Sequence, residues 1–183
     1  MTQVDFHFNA PDKWLYISRL LRKANSQGKR VGVWGESPLI LRLDQDLWQL
    51  GPTDFVSHCM VTEPSHCVER SHVVLSDDWT HLRRLSGLDV YLNLNHSIPS
   101  ELNQLTRLIE VVGSDDDDKA AARLRWKQYT QLGFQINRFD LAANGTLLTL
   151  FFVKKSTLSM KSLFDCPHFC GMVMPCLIEA NPL

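Results

Sequence analysis

Residues 4–34 read VDFHFNAPDKWLYISRLLRKANSQGKRVGVW, and the order of the patterns within them decides the fold class. Val4 to Phe8 alternates apolar with polar residues, the period of a strand. Asn9, Ala10, Pro11 and Asp12 turn the chain into a helix, in which Trp14, Ile17, Leu20, Leu21 and Ala24 recur at helical spacing up to a glycine cap at Gly28. Val31 to Trp34 is a short apolar strand. Ser37 and Pro38 then predict an N-cap and a first-turn proline, and a second helix runs through Leu39, Leu43, Leu47 and Leu50 to its stop at Gly51-Pro52. A β-α-β-α opening points to an α/β domain with helices covering a mostly parallel sheet.

Downstream, His72 to Ser76, Leu88 to Leu94 and Leu108 to Val112 are β-rich runs bounded by turn signals, which reads as inner strands. Ile98 to Thr106 predicts a short helix. Pro52 to Cys59 reads as a loop, and Met60 to Arg70 as irregular chain or a weak strand. Phe134 to Leu141 alternates as a strand, Ala143-Asn144-Gly145 is a hairpin signal, and Thr146 to Val153 is a second β-rich run. From Ser156 onward charges are few and periodicity is lost. The expectation is one three-layer α/β domain over 1–143 and a C-terminal extension over 144–183, an edge hairpin followed by a poorly ordered tail.

Composition narrows the function. With 183 residues, 44% of them apolar, the chain suits one domain with a real core. Nineteen Lys and Arg against 20 Asp and Glu give a net charge of −1. No global field exists to hold a duplex, so any contact with DNA is expected to be indirect. No apolar run reaches the ~18 residues of a membrane span, and MTQVDFHFNA lacks a basic region followed by an apolar core, so the reading is a cytoplasmic protein without a membrane partner. Five cysteines without framework spacing suit reduced thiols.

The most informative surface is predicted over Asp115 to Asn137, DDDDKAAARLRWKQYTQLGFQIN. Ser114 with Asp117 fits a capping box, the acidic run complements the helix N-terminus, and Gly133 supplies the stop. Lys119, Arg123 and Lys127 fall within an arc of about 80°, with Trp126 about 20° from its edge. Ala121, Ala122, Leu124, Tyr129 and Leu132 are expected to face the sheet. Three cations beside an indole suit an acidic peptide with an apolar end and a terminal carboxylate. The competing reading is a solvated face that pairs with its own acids.

Other candidates carry less. Gly32 to Ser37 lies between strand and helix, where phosphate loops sit, but has neither three-glycine spacing nor a Lys-Ser/Thr pair, so a plain turn is favoured over the nucleotide site of a Rossmann-like enzyme. His58, Cys59, His66, Cys67 and His72, or Cys166, His168, Cys170 and Cys176, would be the ligands of a metal-binding interaction module, but neither group has paired two-residue spacings. Glu36, Asp44, Asp46 and the Asp115 to Asp118 run read as structural acids rather than as a phosphoryl-transfer centre. No nucleophile elbow is present. No catalytic residue, cofactor or metal is assigned. Trp48 and Phe55 flank the Gly51-Pro52 turn; such aromatics are more often core, although exposed they would anchor a partner.

Gly28 to Val31, Arg42 to Asp44 with Leu47 and Trp48, Phe55 to His58, Glu110 to Val112, Trp126 to Tyr129, and Gly133 with Phe134 together resemble, in order and spacing, the chi subunit of bacterial DNA polymerase III holoenzyme. The match spans Val4 to about Leu141. The resemblance implies a single Rossmann-like domain without catalysis of its own. It also implies two partners, the acidic C-terminal tail of single-stranded DNA-binding protein and the psi subunit of the clamp loader. Tail binding would fall on Lys119, Arg123, Trp126 and Lys127, and psi binding on Trp48 and Phe55. Two features depart from the family: the loop before the basic helix is shorter, and residues 145–183 extend beyond it.

Overall fold

The computed structural model describes residues 2–51 and 54–142. Seven strands form one sheet: β1 (Gln3–Ala10), β2 (Val31–Trp34), β3 (His58–Met60), β4 (Val73–Ser76), β5 (Val90–Asn93), β6 (Arg107–Gly113) and β7 (Gln135–Asp140). Their spatial order is β3-β4-β2-β5-β6-β1-β7, and every pairing among the described residues is parallel. Five helices connect them: α1 (Lys13–Ser26), α2 (Ser37–Trp48), α3 (Ser65–Arg70), α4 (Trp79–Arg83) and α5 (Asp116–Gln131). The three-layer α/β expectation is met, with a fully parallel sheet in place of a mostly parallel one.

Topology explains which helix lies on which face. From β1 to β2 to β3 the chain steps one way across the sheet, and from β3 onward it steps back. Because parallel crossovers are right-handed, reversing direction moves the helices to the opposite face. Accordingly α1 and α2 pack on Val31, Val33, Leu75, Leu92 and Ile109, whereas α3, α4 and α5 pack on Val4, Phe6, Val74, Tyr91 and Leu108. Alternate residues of each strand thus feed two cores, and the sheet separates them.

Several local expectations are corrected. The weakly patterned region contains the edge strand β3 and the helix α3, whose three and six residues are too few to display a period. Helix α4 was likewise unanticipated; Asp78 caps it by accepting from the Thr80 N–H at 2.7 Å. Between Ile98 and Thr106 only Leu102–Gln104 forms a 3₁₀ turn. There the Thr2 hydroxyl lies 2.6 Å from the Leu102 carbonyl and 2.8 Å from that of Leu105, supplying partners that a longer helix would have supplied internally. Glu36, not Ser37, is the N-cap of α2. The Phe134 to Leu141 run forms β7, which pairs parallel with β1 and is the last strand of the sheet among the described residues. The hairpin over 146–153 and the tail lie outside the described residues.

Gly32 in β2 and Gly35 in the turn that follows have a packing explanation: a Cβ at Gly32 would meet Leu88 Cδ1 at 2.9 Å, and one at Gly35 would meet Leu94 Cβ at 3.1 Å. No helix among the described residues is long and apolar enough to cross a membrane.

Burying β1 on both faces places His7 in the interior, where Tyr16 Oη lies 2.8 Å from its Nδ1 and the Phe139 ring is 5.1 Å away. Burial pushes the imidazole down to about 3, with Asp5 opposing and Arg107 reinforcing the shift. The folded chain therefore keeps the ring neutral where the unfolded chain, below about pH 6.5, protonates it. Stability is lost as pH falls through that window, by up to roughly 3 kcal/mol at pH 4. In denaturant titrations between pH 4 and 6.5, His7→Gln is expected to flatten the pH dependence of stability by up to one proton; an unchanged slope would show that His7 is not the group responsible.

Candidate functional site

The site is built on α5, whose orientation differs from the one its sequence suggests. Ala122, Arg125 and Tyr129 are its buried residues. Leu124 and Leu132, expected against the sheet, are both 63% exposed. The cause is Glu110, a fully buried carboxylate in β6. Arg125 Nε donates to its Oε2 at 3.0 Å, while Tyr129 Oη and Asn93 Nδ2 donate to its Oε1 at 2.7 and 2.8 Å. Burial pushes the Glu110 carboxyl up, and Arg125 and the hydrogen bonds from Tyr129 and Asn93 oppose that shift. The helix turns a guanidinium inward because a buried carboxylate without a partner costs more than two exposed leucines. A lone acid inside the apolar run LIEVV was the signal in the sequence that a cation had to join it.

The start of α5 also differs from the predicted capping box. Asp115 is the N-cap and makes no side-chain cap bond. Asp118 instead accepts from the Gly113 N–H at 2.7 Å and from Lys13 Nζ at 2.8 Å, which ties the helix to β6 and α1. Gly133, at φ 77°, ends the helix as expected.

With Arg125 turned in, the rotation of α5 brings Lys119, Arg123, Trp126 and Lys127 to the wall of one open groove of about 540 Å³. Phe6, Phe8 and Val112 supply its apolar lining, and Arg138 of β7 also lines it. The Trp126 ring sits 4.9 Å from that of Phe6, centroid to centroid, and is half-buried. Lys119 has only a loose ion pair with Asp116 at 3.8 Å, and Arg123 and Lys127 are exposed with no ion pair among the described residues. The groove thus presents uncommitted cations beside aromatic surface. Sequence periodicity grouped the four helix residues but missed Phe6, Phe8 and Arg138, which come from strands more than a hundred positions apart. At β1 the register breaks between His7 and Ala10, with Asn9 at φ 59°, so Asn9 too reaches the groove.

Trp48 and Phe55 are found together at the end of α2, on the α1/α2 side of the sheet. They are 63% and 66% exposed, with ring centroids 6.1 Å apart. Trp48 packs over His58 at 4.8 Å, and His58 Nε2 lies 3.3 Å from Asp44. Leu41, seven residues before Trp48 and so on the same face of α2, is also 57% exposed.

Of the Cys/His candidates, His58 Nδ1 lies 2.7 Å from the Val56 carbonyl and His72 Nδ1 lies 2.7 Å from the Ser57 hydroxyl. No cluster of three metal-ligating residues occurs among the described residues. Cys166, His168, Cys170 and Cys176 lie outside them.

Residues 1–137 match the family model described as DNA polymerase III chi subunit, HolC. The chain is similar to the DNA polymerase III subunit chi of Haemophilus influenzae, 32% identical over 111 residues that cover 60% of this chain and 74% of the relative. It is also similar to the DNA polymerase III subunit chi of Escherichia coli, 30% identical over 111 residues, 60% of this chain and 73% of the relative.

Proposed function

The chain belongs to the DNA polymerase III chi-subunit family, and on that premise we propose that it is a tether within the replicase, without catalysis of its own. The groove beside α5 receives the acidic C-terminal tail of single-stranded DNA-binding protein. The Trp48 and Phe55 surface receives the psi subunit of the clamp loader. DNA is engaged only through the coating protein, in keeping with the net charge of −1. The observation that carries this reading is the convergence of Lys119, Arg123, Trp126 and Lys127 on one groove with apolar lining, while the Trp48 and Phe55 pair stands on the other side of the sheet. Two ligands can then be held at once.

A short disordered tail loses entropy on ordering and meets exposed charges, so one tail binds modestly and several on a coated strand bind by raised effective concentration. The test is fluorescence anisotropy of a labelled acidic peptide ending in Ile-Pro-Phe. Arg123→Ala is expected to weaken binding about tenfold or more, ~1.4 kcal/mol per decade. Affinity should fall steeply as salt rises, since screening shortens from ~10 Å at 0.1 M to ~3 Å at 1 M. Binding indifferent both to salt and to Arg123→Ala would remove the cationic groove as the receptor.

A further inference from the structure

Three elements meet at the side chain of His58. Strand β3 carries it, the end of α2 packs on it, and the loop that holds Phe55 accepts from it. The side chain is 1% exposed. Its Nδ1 lies 2.7 Å from the Val56 carbonyl, which can only accept, so Nδ1 carries a proton. Nε2 is buried, has no hydrogen-bond partner among the described residues, and lies 3.3 Å from Asp44 Oδ1. The Trp48 ring lies 4.8 Å away, centroid to centroid. Asp44 and Trp48 are one turn apart on α2, so the helix presents both to the same imidazole.

The two protonation states of the ring differ at Nε2. A neutral ring with its proton on Nδ1 turns a bare lone pair towards a carboxylate, which repels it. A protonated ring turns an N–H towards Asp44 and a positive charge towards the indole, and both contacts attract. The other charged and titratable groups nearby on the packed elements are engaged elsewhere: Asp46 with Arg42 at 3.7 Å, Asp54 with Arg22, and His72 Nδ1 with the Ser57 hydroxyl at 2.7 Å. We infer that His58 is a positioning residue of the Trp48 and Phe55 surface, whose protonated ring braces Trp48 through Asp44 and the Phe55 loop through the Val56 carbonyl, so that partner capture there strengthens as pH falls. This rests on that surface's being the psi receptor. It adds a sensitivity confined to one partner, because no histidine lines the groove beside α5.

The test measures immobilised psi by surface plasmon resonance at pH 8 and pH 6, the range in which an imidazole ordinarily changes charge. Wild-type affinity is expected to rise about three- to tenfold on acidification, while tail-peptide affinity moves less than about twofold. His58→Gln, which cannot titrate, should bind psi equally at both pH values. Asp44→Asn, whose amide can donate to the bare Nε2, should also lose the dependence and bind at pH 8 at least as well as the wild type. Nitrogen-15 spectra of the imidazoles, assigned against His58→Gln, should show both ring nitrogens of His58 protonated at pH 6. Thermal melting at pH 8 checks that each variant is folded. A ring that stays neutral at pH 6, or a pH dependence that persists in His58→Gln, overturns the inference. So does a flat wild-type profile, and if Trp48→Ala still weakens capture the psi surface stands. Capture unmoved by Trp48→Ala overturns both.

Discussion

Arg125→Ala is expected to lower the free energy of unfolding by about 3–5 kcal/mol, the cost of leaving a buried charge without its partner. Arg125 is 3% exposed and Glu110 wholly buried. With the guanidinium gone, the Tyr129 and Asn93 bonds alone oppose the burial that already pushes the Glu110 carboxyl up. The sign of the pH dependence follows. A carboxyl whose folded pKa stands above its unfolded value of about 4.3 withdraws stability as pH rises from that value through the folded pKa. The deficit of Arg125→Ala relative to wild type should therefore be larger at pH 8 than at pH 5, which urea titrations at the two values would measure. Replacing both partners, Glu110→Leu with Arg125→Met, should recover much of the loss, since buried pairs exchanged for apolar residues are often nearly neutral. A deficit below about 1 kcal/mol for Arg125→Ala would mean that water or a shifted side chain satisfies Glu110, and that the pair does not set the rotation of α5.

Removing the exposed aromatics should have the opposite profile, small for folding and large for partner capture. On the proposed reading, Trp48→Ala and Phe55→Ala each weaken psi binding by about 2 kcal/mol or more, roughly 30-fold, the behaviour of aromatic anchors at an interface. Each residue is about two-thirds exposed, at 63% and 66%, so the folded chain loses little contact when either is truncated, Trp48 giving up its packing on His58. Tail-peptide affinity should stay within about twofold, because the groove lies across the sheet and distant sites act independently. Surface plasmon resonance with immobilised psi, run beside the peptide titration, reads both. Psi affinity unmoved by either substitution would place psi elsewhere on the chain. Loss of both partners would point to misfolding.

These outcomes turn on features of unequal visibility in the sequence. The strand and helix periods of residues 4–34 were plain, because each element there spans at least one full repeat of its pattern and ends in turn chemistry such as Gly28. Helices α3 and α4 were not, since five or six residues do not complete two helical turns. The basic stripe was visible for the same reason as the first helix: Lys119, Arg123 and Lys127 recur every four residues. Its neighbours Leu124 and Leu132 were misplaced because hydrophobic periodicity assumes that the most apolar arc turns inward, and here Glu110 outweighs it.

By itself, then, the sequence determined the α/β class, the mutual alignment of the three helix cations with Trp126, and the presence of two aromatics near the end of α2. Short-range spacing carries that information, because a backbone of fixed period brings residues at set intervals onto one face whatever surrounds them. Tertiary structure alone decided the strand order, the rotation of α5 about the Glu110–Arg125 pair, and the joining of Phe6, Phe8 and Arg138 to the cationic wall. It also decided that Trp48 and Phe55 stand in solvent. Each of these depends on a partner far away in the chain, and which arc of an element is buried is set by the free energy of meeting that partner, a quantity no local pattern contains.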